Sequence, residues 1–149
     1  MKKQHSKSAK TNAGTKSRQG AALIEMALVL PILVVIVLIC VDLGRFASVY
    51  TAVTNAAREG ANFGGTHPFT SNTYARWRER VEETASDEMD DVPSFDQDSF
   101  SVSEPELIAS NKRSRVRVEV TYTFRPAIVW PVLPKQMVIT RHAEMPVIR

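Results

Sequence analysis

Hydrophobic and polar positions divide this chain into blocks of different period. Residues 1–20 have no apolar period at all. Residues 21–41, "AALIEMALVLPILVVIVLICV", are apolar throughout except for Glu25. From there the spacing becomes that of an amphipathic helix: Leu43, Phe46, Val49 or Tyr50, Val53, Ala56 or Ala57 and Gly60 recur every three to four residues. Asp42, Arg45, Ser48, Asn55 and Arg58 fall largely on other faces. One helix over about 22–62 is expected, with Asn62, Gly64 and Gly65 as its stop. Its outer part would be a stalk with a small-residue face of Ala52, Ala56, Ala57 and Gly60.

After the "THPFTSNT" loop, Trp77, Val81, Ala85 and Met89 stand four apart, which predicts a second helix over Thr73–Met89. "DDVPSFDQDS" reads as a turn. "FSVS" is a short strand, and "RVRVEVTYTF", Arg115 to Phe124, alternates without a break. Val116, Val118, Val120, Tyr122 and Phe124 form one face of it, with Arg115, Arg117, Glu119, Thr121 and Thr123 on the other. "RPAIVWPVLPK" carries three prolines and so connects rather than pairs; a last strand lies near "QMVITRHAEMPV". The expected fold is α+β: a transmembrane helix extended into an amphipathic one, a short helix, and a small antiparallel sheet. The domains expected are a basic leader at 1–20, a transmembrane helix at 21–41, an amphipathic extension at 42–65 and an extracytoplasmic α+β domain at 66–149.

Length and charge sharpen this picture. At about 1.5 Å per residue, the 21 apolar residues make roughly 32 Å of helix, against a bilayer core of about 30 Å. The net charge of +3 is misleading, because the leader holds six of the 19 Lys and Arg and none of the 16 Asp and Glu. The remainder carries 13 cations against 16 anions, so the basic balance argues poorly for a nucleic-acid partner. A basic block before an apolar span keeps its own end in the cytoplasm. The expected topology is single-pass, N-terminus in the cytoplasm and C-terminus outside. Pro31 is expected to bend the span. Cys40 is the only cysteine, which excludes an intrachain disulfide; it reads as a small buried apolar residue.

Three readings compete for residues 1–41. A cleaved secretory signal has a shorter apolar run and a small-x-small site, neither of which is present. A plain signal anchor explains the length but neither Gly20 nor the spacing of Glu25. A prepilin-type leader explains all of it: a basic segment, Gly20 at the last leader position, Ala21 as the new N-terminus, and Glu25 at mature position five. Glycine would present an extended, unencumbered backbone to a protease. Cutting between Gly20 and Ala21 exposes an α-amino group of ordinary pKa about 7.7–8.0, and Glu25 lies four residues on, one helical turn away. A carboxylate in the first turn also suits the unpaired N–H groups and dipole of a helix start. The bland alternative is a Glu25 that snorkels to the interface.

Three blocks resemble the TadE-like proteins, minor pseudopilins of the tight-adherence system that builds Flp pili. They are "RQGAALIEMALVLPILVVIV", "DLGRFASVYTAVTNAAREGA", and "RVEVTYTFRPAIVWPVLP" with "ITRHAEM". Met26 departs from the Phe usual after the Glu. The resemblance implies processing by a prepilin peptidase and packing with other pilins, pseudopilins and pilus assembly platform proteins. It covers most of the chain except residues 66–112.

The remaining candidates are thin. His142 and Glu144 share a strand face, but two ligands do not make a metal site. Asp90, Asp91, Asp96 and Asp98 lack the glycine and closing Glu of a calcium loop and read as a solvated turn. Lys112, Arg113, Arg115 and Arg117 form a basic stripe without interleaved aromatics, better suited to blocking edge pairing than to nucleic acid. No catalytic set, cofactor motif, metal site or small-molecule site is expected. The protein reads as a non-enzymatic assembly subunit. The alternative is a signal-anchored binding module whose activity lies in residues 66–149.

Overall fold

A computed structural model describes residues 13–93, 95–109, 114–128 and 134–148. Its elements are α1 (Ala13–Thr66), α2 (Tyr74–Asp87), a 3-10 turn (Gln97–Ser99), β1 (Phe100–Val102), β2 (Glu106–Ile108), β3 (Arg115–Phe124) and β4 (Met137–Pro146). The fold is α+β, as expected. The chain forms two compact units, Met1–Cys40 and Val41–Arg149.

The first unit contains the N-terminal part of α1. The helix begins at Ala13 rather than near residue 22, inside the basic leader. Extending an existing helix adds one hydrogen bond per residue fixed, with no new nucleation, and Ala, Lys, Arg and Gln are good helix formers. Leu23, Ile24, Leu28, Ile32 and Ile36 are all well exposed, as are the other large apolar residues around them. Helical hydrogen bonding continues past Pro31. Cys40 is exposed, not buried.

In the second unit the rest of α1 is a core helix. Val49, Val53, Ala56, Ala57 and Ala61 are buried in one cluster with Trp77, Val81, Ala85 and Met89 of α2 and its flank, and with the inward face of β3. The small-residue face expected to serve a free stalk is thus spent inside this unit. The helix also runs through Gly64 and Gly65 to Thr66 instead of stopping there. These glycines allow close approach. A Cβ on Gly64 would lie 3.0 Å from Val116 Cγ1 and 3.2 Å from the Trp77 ring; one on Gly65 would lie 2.7 Å from the Pro146 carbonyl oxygen. The end is closed by Thr66 Oγ1, which donates to Asn62 O at 2.8 Å, and by His67, whose ring stacks on Phe63.

The β3 alternation is borne out residue by residue: Val116, Val118, Val120, Tyr122 and Phe124 are all buried. β4 pairs antiparallel with β3 over its whole length, from Arg115 opposite Pro146 to Phe124 opposite Met137. β1 and β2 therefore share the other side of β3. Their registers, Phe100 opposite Tyr122 and Glu106 opposite Arg117, differ by one residue. They are two halves of one edge strand broken by a bulge at Ser103–Pro105. β2 is not evident in the sequence because Pro105 interrupts the alternation. Arg115 and Arg117 of the basic stripe do not guard an edge as expected, because β3, which carries them, is the central strand.

β4 breaks its own pattern once. Arg141 lies opposite Val120 on the helix-facing side, with its guanidinium 4.1 Å above the Tyr50 ring. The ring's quadrupole attracts the cation while the aliphatic stem packs along the core.

Candidate functional site

Gly20, Ala21 and Glu25 lie on α1, and all three are exposed. Helical geometry puts Ala21 and Glu25 one turn apart on the same face. Gly20 is not required by packing, because a Cβ there would meet nothing within 4 Å. That contrasts with Gly64 and Gly65. The bond between Gly20 and Ala21 is helical here rather than extended, so a protease would first have to unwind this turn. Glycine is the residue whose helical state is weakest apart from proline, by about 1 kcal/mol relative to Ala. Among the described residues no side chain pairs with Glu25. By length and composition, α1 is apolar enough to cross a membrane.

Just past the apolar run lies Asp42, which the sequence reading assigned only to a polar face. It is buried. Its Oδ1 accepts the Ala127 backbone N–H at 3.0 Å, and Arg45 Nη1 lies 3.5 Å from the same oxygen. The Arg45 guanidinium sits 5.7 Å above the Phe124 ring, and Phe46 meets Phe124 edge-on at 5.5 Å. A buried carboxylate needs such partners, since leaving it unpaired is costly. The signal in the sequence was an acid abutting a long apolar run.

The other candidates have structural uses. Asp96 accepts from Asp98 N at 3.2 Å and Ser99 Oγ at 2.7 Å, capping the 3-10 turn, and Arg125 lies 3.5 Å away. Asp90, Asp91 and Asp98 are on the surrounding turns. Lys112 and Arg113 lie outside the described residues. Arg117 Nε donates to Glu144 Oε1 at 2.9 Å, Arg115 lies 3.4 Å from Glu144, and Glu106 lies 3.7 Å from Arg117. These two arginines are thus engaged by acids of β2 and β4. His142 stands opposite Glu119 across the ladder. Residues 66–112, which matched nothing in the sequence reading, supply α2, β1 and β2. Within them the Tyr74 hydroxyl donates to Glu104 at 3.0 Å, tying α2 to the bulge.

The hydrogen bond from Arg117 holds the Glu144 carboxyl below its ordinary range, with desolvation opposing it. A depressed folded-state value means that the stabilisation is complete above the unfolded pKa and fades as pH falls through the folded one. Glu144→Gln is therefore expected to lower stability at neutral pH and to match the unsubstituted protein in acid. Denaturant melts across that range check this, and parallel curves at every pH would exclude it.

Residues 20–62 match the family model described as TadE-like protein, a match that points to a pilus-associated protein. Among curated proteins and solved structures, none matches the chain.

Proposed function

We propose that this chain, TadE-like over residues 20–62, is a membrane-anchored minor pseudopilin of a tight-adherence pilus or its associated secretion machinery. It acts without catalysis, by packing its apolar helix against those of related subunits after its leader is removed. The observation that carries this reading is the coincidence of the family match with the Gly20, Ala21 and Glu25 spacing at the head of an apolar helix exposed on all sides. Helices in lipid associate by close packing and polar pairing, since lipid is as apolar as leucine. The basic leader places the N-terminus in the cytoplasm and residues 41–149 outside, in the bacterial inner membrane. A prepilin peptidase, other pilins or pseudopilins, and platform proteins are its partners.

Mass spectrometry of membrane-extracted protein should find Ala21 as the N-terminus. Gly20→Val should leave the leader attached, because a stiff β-branched side chain crowds the backbone that glycine leaves unencumbered for a protease. Efficient processing of that variant, or an intact leader in the natural protein, would overturn the reading.

The second reading, an anchored binding module at residues 66–149, draws support from the self-contained core of residues 41–149. Exchanging residues 21–40 for an unrelated single span separates the two. The exchange must stop there, because Val49 to Gly64 belong to the core. Retained function favours the tether; lost function favours helix packing.

A further inference from the structure

β4 is an open edge with one unanswered charge. Val147 N–H donates to Ser114 O at 2.9 Å, which extends the antiparallel register that sets Arg115 opposite Pro146. Hydrogen-bonded pairs alternate in such a ladder, so Met137, Ile139, Arg141, Ala143 and Met145 bond to β3. Val138, Thr140, His142 and Glu144 therefore turn their N–H and C=O groups away from it, and among the described residues no strand receives them. Pro146, which has no N–H, ends the row. Side chains alternate with the same period. Met137, Ile139, Ala143 and Met145 belong to the core or pack against it, and Arg141 stands in the middle of their row. Its guanidinium lies over the Tyr50 ring, yet its buried Nε finds no acceptor, and no carboxylate pairs with it among the described residues. A buried donor left without a partner is costly, the more so on a charged group.

We propose that the free edge of β4 takes a further strand from another protein, an extended segment whose inward row reads apolar, acidic, apolar, with the acidic side chain answering Arg141. Strand addition at an open edge draws affinity from the backbone and specificity from alternate side chains. On an antiparallel added strand, the residue opposite Arg141 falls in a pair that is not hydrogen-bonded. There the Cα atoms stand about 4.5 Å apart and side chains lie closest. Apolar residues two positions to either side would cover Ile139 and Ala143. An inward charge on an edge discourages strands that bring only apolar residues, because they would bury it unpaired. A strand with an acid at that position removes the penalty. The same requirement separates this partner from a second copy. Two β4 edges paired antiparallel about a twofold axis set only Met137, Ile139, Arg141, Ala143 or Met145 of one copy opposite Arg141 of the other, and none is an acid. Glu144, the one acid of β4, lies on the opposite face and is engaged by Arg117.

The test uses the full chain, solubilised in detergent, and short fluorescent peptides of alternating threonine and valine in which the central valine is replaced by glutamate, glutamine or lysine. Fluorescence anisotropy should show the glutamate peptide binding at least about tenfold more tightly than the glutamine one, as a hydrogen bond to a charged group implies, and the lysine peptide not binding. Arg141→Met keeps an apolar stem on Tyr50 and should erase the preference between glutamate and glutamine while both still bind. His142→Pro removes an outward N–H at the middle of the edge, where proline is tolerated, and should weaken binding of every peptide. If that variant fails to fold, Arg141→Met alone decides. Equal binding of the glutamate and glutamine peptides, a preference that survives Arg141→Met, or no binding by any peptide would overturn the proposal. So would dimers in sedimentation that His142→Pro disperses, because the edge would then belong to a second copy.

Discussion

Replacing Glu25 by alanine is expected to leave the N-terminus at Ala21 and to remove the protein from the pilus or assembly fraction. The substitution lies outside the Gly20–Ala21 bond, so under the proposed function processing should continue. It removes the one carboxylate of the apolar run, and alanine is the best helix former, so the helix itself should not suffer. What is lost is a counter-charge. An acid near the centre of a bilayer costs about 2.5–3.5 kcal/mol on insertion scales, so its presence in the span calls for compensation. On the proposed reading, a terminal amine one turn away, on the same chain or on a neighbour, would supply it. Glu25→Asp keeps the charge on a shorter arm and should retain part of the assembly that Glu25→Ala loses. Sedimented pili or cross-linked assemblies, probed for the protein, give the readout. Full incorporation of Glu25→Ala would dispose of the pairing.

Gly65→Ala and Gly44→Ala, the same exchange in the same helix, should shift stability in opposite directions. At Gly44 a Cβ would meet nothing within 4 Å, so only helix propensity acts, and it favours alanine by up to about 1 kcal/mol. At Gly65 the new Cβ would come within 2.7 Å of the Pro146 carbonyl oxygen and 3.2 Å of Met145 Cβ. The obstacle is backbone, and that backbone is fastened, because Ile148 N–H donates to Gly65 O at 2.9 Å and Val147 N–H to Ser114 O at 2.9 Å. Overpacking of this kind costs about 1–3 kcal/mol and should outweigh the propensity gain. Thermal unfolding of the detergent-solubilised chain should place the two variants on either side of the parent. Equal shifts would mean that the end of β4 yields freely and the close approach is not a constraint.

The parts of the fold that sequence disclosed are those whose signal is local. β3 declares itself because one face of a central strand must be apolar at every second residue. α2 does so because Trp77, Val81, Ala85 and Met89 must all reach the same core. The long apolar helix follows from its length and from Glu25 being its only charge. What stayed hidden depends on partners distant in sequence. Gly64 and Gly65 carry the same letters whether they end a helix or admit a strand, and only the proximity of Val116 and Pro146 decides. The bulged edge strand could not be read because a register shift of one residue is defined by its partner. Asp42 looked like any surface acid until Ala127 came to it. At the head of the apolar run, spacing alone places Gly20, Ala21 and Glu25 within about one turn of each other, and the helix keeps them so.

The two margins of the sheet are not equivalent. On one, Pro105 and the register slip at Ser103–Pro105 deny an incoming chain a regular row of donors and acceptors. On the other, β4 runs ten residues in unbroken register, and among the described residues only β3 pairs with it. Any strand recruited from another molecule must enter on that single side. Two such sheets can satisfy each other once, after which both partners present only their irregular border. Pairing of two such sheets along β4 would therefore stop at a pair.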